Sequence, residues 1–464
     1  MYYKLNDKYQ LRGWQRLPNG IVDKKTGSVG FAAASDYRLL KLCSGVLDSN
    51  SVLFSQKDRV HLTAMEQAGI LQSFEQPCSI SEDQKYKEYD NRFIRMAHWS
   101  ITGGCNAKCR HCYMSAPHAA WGELSHQKCI DIIDQMADCG IHQVVLTGGE
   151  PLIRRDFFEL VDRMTEKGIV ISCIMSNGLL VNERLLDQLE ARGLKPEFNM
   201  SFDGIGCHDW LRNVNGAEKK VLDAFRLCKE RGFATGAEYC LHKGNMHAFR
   251  ESVKLLDSLG CRSLKVNRLN LEGEATEIAD YALTAEQENS FYLDYITHYY
   301  EDEISLVLML NGVFYGHGKR KPQISMCKLP ENEPQDNYAI CGHARNVMHI
   351  TADGRIVPCI PLGMDSTREM FPDIDKVSLK QSLNDSDYMS FINTRLKDYF
   401  LLQPECANCE YRNRCAGGCR GRAAMGGNIW GKDADACYFF RGGWYDKTKA
   451  LLEKLELEYN LTDK

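Results

Sequence analysis

Between residues 95 and 270, short apolar runs alternate with longer stretches in which apolar residues return every three or four positions. The runs are rich in Val, Ile, Phe and Thr, and they predict strands at 97–102, 143–147, 169–175, 198–202, 235–241 and 263–268. The periodic stretches predict helices at 125–139, 155–167, 182–191, 217–231 and 248–259. Gly140, Gly168, Gly193, Gly232 and Gly260 fall at plausible C-caps of these helices. Six strands alternating with helices imply an α/β fold whose parallel sheet has right-handed crossovers and is flat or curled into a partial barrel. In such folds the chemistry collects at the C-terminal ends of the strands.

The flanks carry other patterns. Residues 1–90 begin with strand-like pieces at 2–5, 11–14 and 20–23, broken by turn residues such as Pro18-Asn19-Gly20. Helical patterns follow at 35–44 and 57–68, the second stopping at Gly69. This order suits a winged-helix-like module, with the polar stretch 79–90 as a linker. Residues 280–335 show no clean period, the chain from Cys341 is loop-like and rich in Cys and Gly, and 444–459 reads as a charged helix. The division expected is 1–90 for the module and linker, 91–300 for the core, 301–338 for a bridging region, 339–445 for a Cys-rich domain and 446–464 for a C-terminal helix.

Length supports more than one core, since 464 residues exceed what a single core usually serves. A net charge of −5 with 26% charged residues leaves no basic footprint for a nucleic-acid partner. No apolar run has the length to span a membrane. The twenty cysteines change the picture most. The first twenty residues are polar and aromatic, unlike a secretory signal, and many cysteines stand two to five residues apart. In a reducing cytoplasm, thiolates clustered in this way point to metal.

The first predicted core strand runs into Thr102-Gly103-Gly104, followed at once by Cys105, Cys109 and Cys112. Three thiolates can hold three irons of a cubane and leave the fourth iron open for a chelating ligand. A structural zinc site is the alternative, with His111 as a possible fourth ligand. The second strand runs into Gly148-Gly149-Glu150-Pro151, where glycines allow close backbone approach to a ligand and Glu150 could hold an amino group. The third ends in Ser176-Asn177-Gly178, and the fourth in Ser201-x-Asp203-Gly204 with Arg212 further on. A second cysteine field holds Cys341 and Cys359, then Cys406, Cys409, Cys415 and Cys419, then Cys437.

On these motifs, residues 98–275 resemble the core of the radical S-adenosylmethionine (SAM) superfamily, and the second field resembles the SPASM domain. The resemblance implies a partial (β/α)6 TIM-like barrel, an N-terminal winged-helix-like module and a C-terminal Cys-rich SPASM domain. It implies a SAM-binding [4Fe-4S] cluster on Cys105, Cys109 and Cys112, with Gly148, Gly149, Glu150 and Pro151 contacting the methionine amine. It places His111 near the adenine, Ser176 and Asn177 along the SAM site, Ser201 at the ribose, and Asp203 and Arg212 beside them, with Arg212 able to meet the SAM carboxylate. It also implies two auxiliary [4Fe-4S] clusters. Cys406, Cys409, Cys415 and Cys437 would bind the outer one, and Cys341, Cys359 and Cys419 the inner one. Cys327 is the candidate fourth ligand of the inner cluster. The other nine cysteines lack ligand spacing and read as buried thiols.

Such a chain is similar to enzymes that modify peptides. Residues 1–80 resemble the element of peptide maturases on which a leader peptide adds as a strand. The partners implied are a precursor peptide and a flavodoxin or ferredoxin reductant, and the product is a thioether, C–C or C–O crosslink or an epimer. Two other readings stay open: a sulfatase-type maturase forming formylglycine, and a non-catalytic iron–sulfur electron carrier. No acid or base can be named; Glu272 and Glu274 are candidates to face the substrate.

Overall fold

Strands β1 (Tyr2–Leu5), β2 (Tyr9–Gln15), β3 (Leu17–Asp23) and β4 (Val29–Phe31) open the chain in the computed structural model, which describes residues 1–318, 320–329, 335–364 and 367–460. Helix α1 (Ala34–Leu42), β5 (Ser44–Asp48), helix α2 (Gln56–Gln67), β6 (Leu71–Phe74) and β7 (Lys87–Arg92) complete the module. The strands make two small sheets, ordered β5-β1-β6 and β4-β3-β2-β7. Between sheets and helices lies a core of Leu5, Leu11, Tyr37, Leu40, Leu62 and Leu71. Ser55 starts α2 with a reciprocal cap: its Oγ accepts from Asp58 N–H at 3.1 Å, and its own N–H donates to Asp58 Oδ2 at 2.9 Å.

The stretch 79–90 is built into this module and is no free linker. Gln84 is fully buried, and its Nε2 donates to the carbonyls of Leu5, Asn6 and Tyr9 at 3.2, 3.0 and 3.3 Å. Strand β7 then pairs in parallel with β2. A buried glutamine that satisfies loop carbonyls looks, in sequence, the same as a solvated one. Trp14 joins the module to the barrel: it is buried among Tyr89 and Phe93, and its Nε1 donates to Cys139 O at 3.2 Å.

Six parallel strands follow at the predicted places: β8 (Met96–Ser100), β9 (Gln143–Thr147), β10 (Val170–Ser176), β11 (Glu197–Ser201), β12 (Thr235–Leu241) and β13 (Ser263–Arg268). Their α/β units form the partial barrel expected. Side chains alternate along each strand. Trp99, Leu146, Ile174, Phe198, Met200 and Leu264 belong to the large core shared with the helices. The alternate positions carry His98, Ser100, Asn199, Glu238 and Asn267, which leaves the inner face polar.

The sheet does not stop at six. Strand β14 (Val307–Leu310) adds in parallel beside β13, and β15 (Phe314–His317) and β16 (Arg320–Gln323) continue antiparallel. At the other edge β17 (Val347–Ile350) pairs in parallel with β8, followed by β18 (Ile356–Val357). The stretches read as a bridge and as the start of a Cys-rich domain therefore extend one sheet, of eleven strands among the described residues. The last helix runs from Trp444 to Lys454, shorter than its pattern suggested, and its Trp444, Tyr445 and Leu452 join the large core. Among the described residues no helix is long and apolar enough to cross a membrane.

Candidate active site

The tips of β8 and β9 are zipped together beyond the strands. Ile101 N–H donates to Thr147 O at 3.0 Å, Gly149 N–H to Thr102 O at 2.9 Å, and Glu150 N–H to Gly104 O at 2.9 Å. A Cβ on Gly149 would overlap Gly104 O, and one on Gly148, whose φ is 148°, would overlap Thr102 O. Bare backbone at these positions thus lets Gly148–Pro151 lie against the loop that carries Cys105. The close approach that the two glycines permit is to this loop.

Each thiol of the triplet meets donors. Cys105 Sγ accepts from Ala107 N–H at 3.4 Å and Asn177 Nδ2 at 3.7 Å, Cys109 Sγ from Arg212 Nη1 at 3.8 Å, and Cys112 Sγ from Ala116 N–H at 3.3 Å. Burial pushes the Cys105 thiol up to about 12, so only a bound metal would keep it as a thiolate at neutral pH. Among the described residues no three His, Cys, Asp or Glu side chains converge on a single-ion site. A cubane needs no such convergence, because each thiolate takes a different iron.

Glu150 is fully buried beside this loop. Ser176 Oγ lies 3.0 Å from both its carboxylate oxygens, and the N–H groups of Asn177 and Leu152 donate at 2.7 and 3.1 Å. None of these partners is a cation, and burial pushes the carboxyl up to about 7 despite them. Asn177 Nδ2 also reaches Asn106 Oδ1 at 2.7 Å, which ties the tip of β10 to the cysteine loop. Pro151 is buried at the start of the next turn.

A second buried charge sits past β11. Asp203 accepts from Cys240 N–H at 2.9 Å and from Arg212 Nε at 2.7 Å, and His208 Nδ1 lies 3.1 Å from its Oδ2. Burial raises this carboxyl, but Arg212, with His208 and His111, overrides it and holds Asp203 well below the usual carboxylate range. Asp203 thereby fixes Arg212 with Nη1 toward Cys109. Ser201 is half-buried at the tip of β11. His111 Nδ1 is buried without a hydrogen-bond partner, and burial pushes the ring down to about 3.

The C-terminal cysteines gather in two places. Cys406, Cys409, Cys415 and Cys437 line one small cavity. Cys359, partly buried, lies within the field of Cys419 and Cys341. A larger cavity is lined by Cys341 and Cys419, and also by Cys327. Asp433 joins the two groups: it accepts from Cys419 N–H at 2.6 Å and from Arg422 Nε at 2.9 Å, and it lines the small cavity. Among the described residues no cysteine forms a disulfide. Of the nine without ligand spacing, Cys43, Cys129, Cys139, Cys207, Cys228, Cys240 and Cys261 are buried, and Cys78 and Cys173 are partly so.

One acidic residue escaped the sequence reading. Glu238 lies on the inner face of β12, where Asn199 Nδ2 and Asn267 Nδ2 donate to it at 3.2 and 3.0 Å and Lys265 Nζ stands 3.7 Å away. A glutamate inside the apolar strand TGAEYCL was the available signal. Glu274, one of the two acids considered, backs the cysteine loop, because its N–H donates to Cys112 O at 2.9 Å.

Comparison with known proteins bears on this geometry. The Radical SAM superfamily matches residues 99–256, and SPASM, an iron-sulfur cluster-binding domain, matches residues 341–410. The chain carries a radical SAM domain followed by a SPASM domain. The first of these uses SAM and a [4Fe-4S] cluster, and the second binds iron–sulfur. Among curated relatives, the AdoMet-dependent heme synthase of Nitratidesulfovibrio vulgaris is 26% identical over 340 residues, covering 70% of this chain and 87% of the relative. The PqqA peptide cyclase of Granulibacter bethesdensis is 24% identical over 329 residues, covering 70% and 81%. In fold, this radical SAM/SPASM chain is similar to Streptococcus suis SuiB bound to precursor peptide SuiA, with a TM-score of 0.63 at 15% identity over 94% of this chain and 99% of that one.

Proposed function

We propose that this chain is a cytoplasmic peptide maturase that abstracts hydrogen from a ribosomally made precursor and forms a thioether, C–C or C–O crosslink or an epimer. The observation that carries the reading is the folded N-terminal module, which has its own core and an edge strand, β4, and is docked on the barrel through Trp14. A leader peptide can add to such an edge. The likeness to SuiB extends over this module as well, and the relatives named heme synthase match 70% of the chain.

Cys105, Cys109 and Cys112 would hold the SAM-binding cluster. Glu150, in the frame of Gly148, Gly149, Pro151, Ser176 and Asn177, is a buried acid without a cation, which suits the ammonium of SAM. Arg212, set by Asp203, would take the SAM carboxylate, Ser201 the ribose, and His111 the adenine. Bound there, SAM and the cluster supply a 5′-deoxyadenosyl radical able to take a hydrogen atom from an unactivated C–H. Glu238, on the inner face, would accept a proton as the new bond closes. Cys406, Cys409, Cys415 and Cys437 would bind an outer auxiliary cluster, and Cys341, Cys359 and Cys419, completed by Cys327, an inner one. A flavodoxin or ferredoxin would deliver the electron.

The test is anaerobic reconstitution followed by reaction with SAM, dithionite and a short peptide encoded beside this gene. Formation of 5′-deoxyadenosine with a peptide lighter by two hydrogens supports a crosslink, and an unchanged mass with inverted stereochemistry supports an epimer. A formylglycine product assigns the sulfatase-type reaction. Absence of 5′-deoxyadenosine assigns an electron carrier. The relatives named heme synthase favour a second reading with a tetrapyrrole substrate, and turnover of a porphyrin in place of the peptide would establish it.

A further inference from the structure

A cavity of about 1230 Å³ opens where three parts of the chain meet: the β2–β3 turn, the end of β7 and the loop around Cys341. Arg16, Arg92, Arg345 and Arg395 all line it, together with Lys328, and no Asp or Glu is among its described lining residues. That is against the composition, since the whole chain carries a net charge of −5. Arg92 Nη1 donates to Asn393 Oδ1 at 3.2 Å and Arg345 Nη1 to Ile392 O at 3.3 Å, which fixes two of the four arginines on neutral acceptors. Arg92 Nε is buried with no partner. Burial, then the nearby Arg92, Arg395 and Arg16, push Arg345 down to about 10, and Arg395 and Arg16 act on Arg92 in the same direction.

Four guanidinium groups brought together, with no carboxylate among the described lining residues, repel one another, and an anion relieves that repulsion. Guanidinium groups match carboxylates in shape as well as charge. The neutral part of the lining mixes apolar side chains such as Leu17, Phe93, Leu329 and Ile340 with Gln15, Gln323, Ser325, Asn337 and Asn346, which offer amides and a hydroxyl. Those groups suit a peptide backbone. The cavity also exceeds the roughly 300–1,000 Å³ of most small-molecule sites. Cys327, Cys341 and Cys419 close one side of it.

We propose that this cavity binds an acidic stretch of the precursor peptide, with its carboxylates on Arg16, Arg92, Arg345 and Arg395. The site lies between the N-terminal module and the second cysteine field, so a peptide held there is anchored apart from the strand edge at β4. The proposal rests on the peptide-maturase reading.

The experiment uses the anaerobically reconstituted full chain and follows fluorescence anisotropy of a labelled peptide of about ten residues alternating Glu and Ser. A Gln-for-Glu counterpart and coproporphyrin III are the comparison probes. The Glu peptide should bind at least tenfold more tightly than the Gln peptide and lose affinity as ionic strength rises from about 0.05 to about 0.5 M. Arg345→Gln should weaken it about tenfold, and Arg16→Glu, on an exposed turn that tolerates change, by at least as much. Equal binding of the Glu and Gln peptides overturns the proposal. So does unchanged affinity in both variants, or unchanged affinity together with a shifted auxiliary-cluster EPR signal, which would assign the arginines to the cluster's charge. If a native precursor is still modified in any of these cases, only this site is lost. If coproporphyrin III binds more tightly than the Glu peptide and is turned over, the peptide reading falls with it.

Discussion

Replacing Glu150 with Gln should lower SAM affinity while removing a pH-dependent penalty on folding, and the two effects have opposite signs. In the folded chain this carboxyl rises from its ordinary 4.5 to about 7, chiefly because it is buried. A folded value above the unfolded one means that the acid costs nothing below about pH 4.5 and that stability is lost as pH rises through about 7. At 1.36 kcal/mol for each pKa unit, the penalty approaches roughly 3 kcal/mol at alkaline pH. Between about pH 5 and pH 8, wild type should therefore lose about 2–3 kcal/mol relative to Glu150→Gln. The amide would oppose its NH₂ to the N–H of Leu152 or Asn177, at a pH-independent cost of about 1–3 kcal/mol. The difference between the two pH values is thus the quantity to measure, by urea denaturation of the metal-free, reduced chain. For SAM, truncating one partner of a buried charge pair costs about 2–5 kcal/mol, at least roughly 30-fold in Kd. Anaerobic equilibrium dialysis of the reconstituted protein reads it. Affinity within about threefold of wild type, or a stability difference that does not change with pH, would refute the reasoning.

Further outcomes follow from the same geometry. Replacing Cys105, Cys109 and Cys112 together by Ala should abolish 5′-deoxyadenosine formation while iron remains on the C-terminal cysteines, as elemental analysis of the triple variant would show; retained cleavage would dismiss the triplet. Gly149→Ala forces a Cβ onto Gly104 O, and should cost about 1–3 kcal/mol and reduce iron incorporation at the first cluster, whereas full incorporation with wild-type stability would contradict the zipped strand tips. Cys327→Ser should change the EPR signal of the inner auxiliary cluster and leave the other signals in place; an identical spectrum would remove Cys327 from the ligand set. Glu238→Gln should slow peptide modification by about 10²- to 10⁴-fold if its carboxylate takes a proton during reaction, and 5′-deoxyadenosine measured alongside would show whether radical formation has been separated from product formation; unchanged product yield would exclude the role.

The six α/β units were legible in the chain because strand and helix periods are local properties, set by side chains a few residues apart. The cysteine triplet and Gly148–Pro151 were legible for the same reason: each is a short contiguous motif, and the alternation of strands and helices puts both at neighbouring strand tips. What local pattern cannot carry is convergence between distant segments. Gln84 is buried because Leu5, Asn6 and Tyr9 turn their carbonyls toward it, and β17 is a barrel-edge strand because it reaches back to β8. Glu238 gains its setting from Asn199 and Asn267 on the two flanking strands. Arg16, Arg92, Arg345 and Arg395 come from four separate stretches and share one cavity only after the module, the sheet and the C-terminal region have packed. Periodicity thus determined the six α/β units, and spacing picked out the cysteine motifs. Tertiary packing decided burial and the company each charge keeps, because both depend on surfaces that meet across the fold.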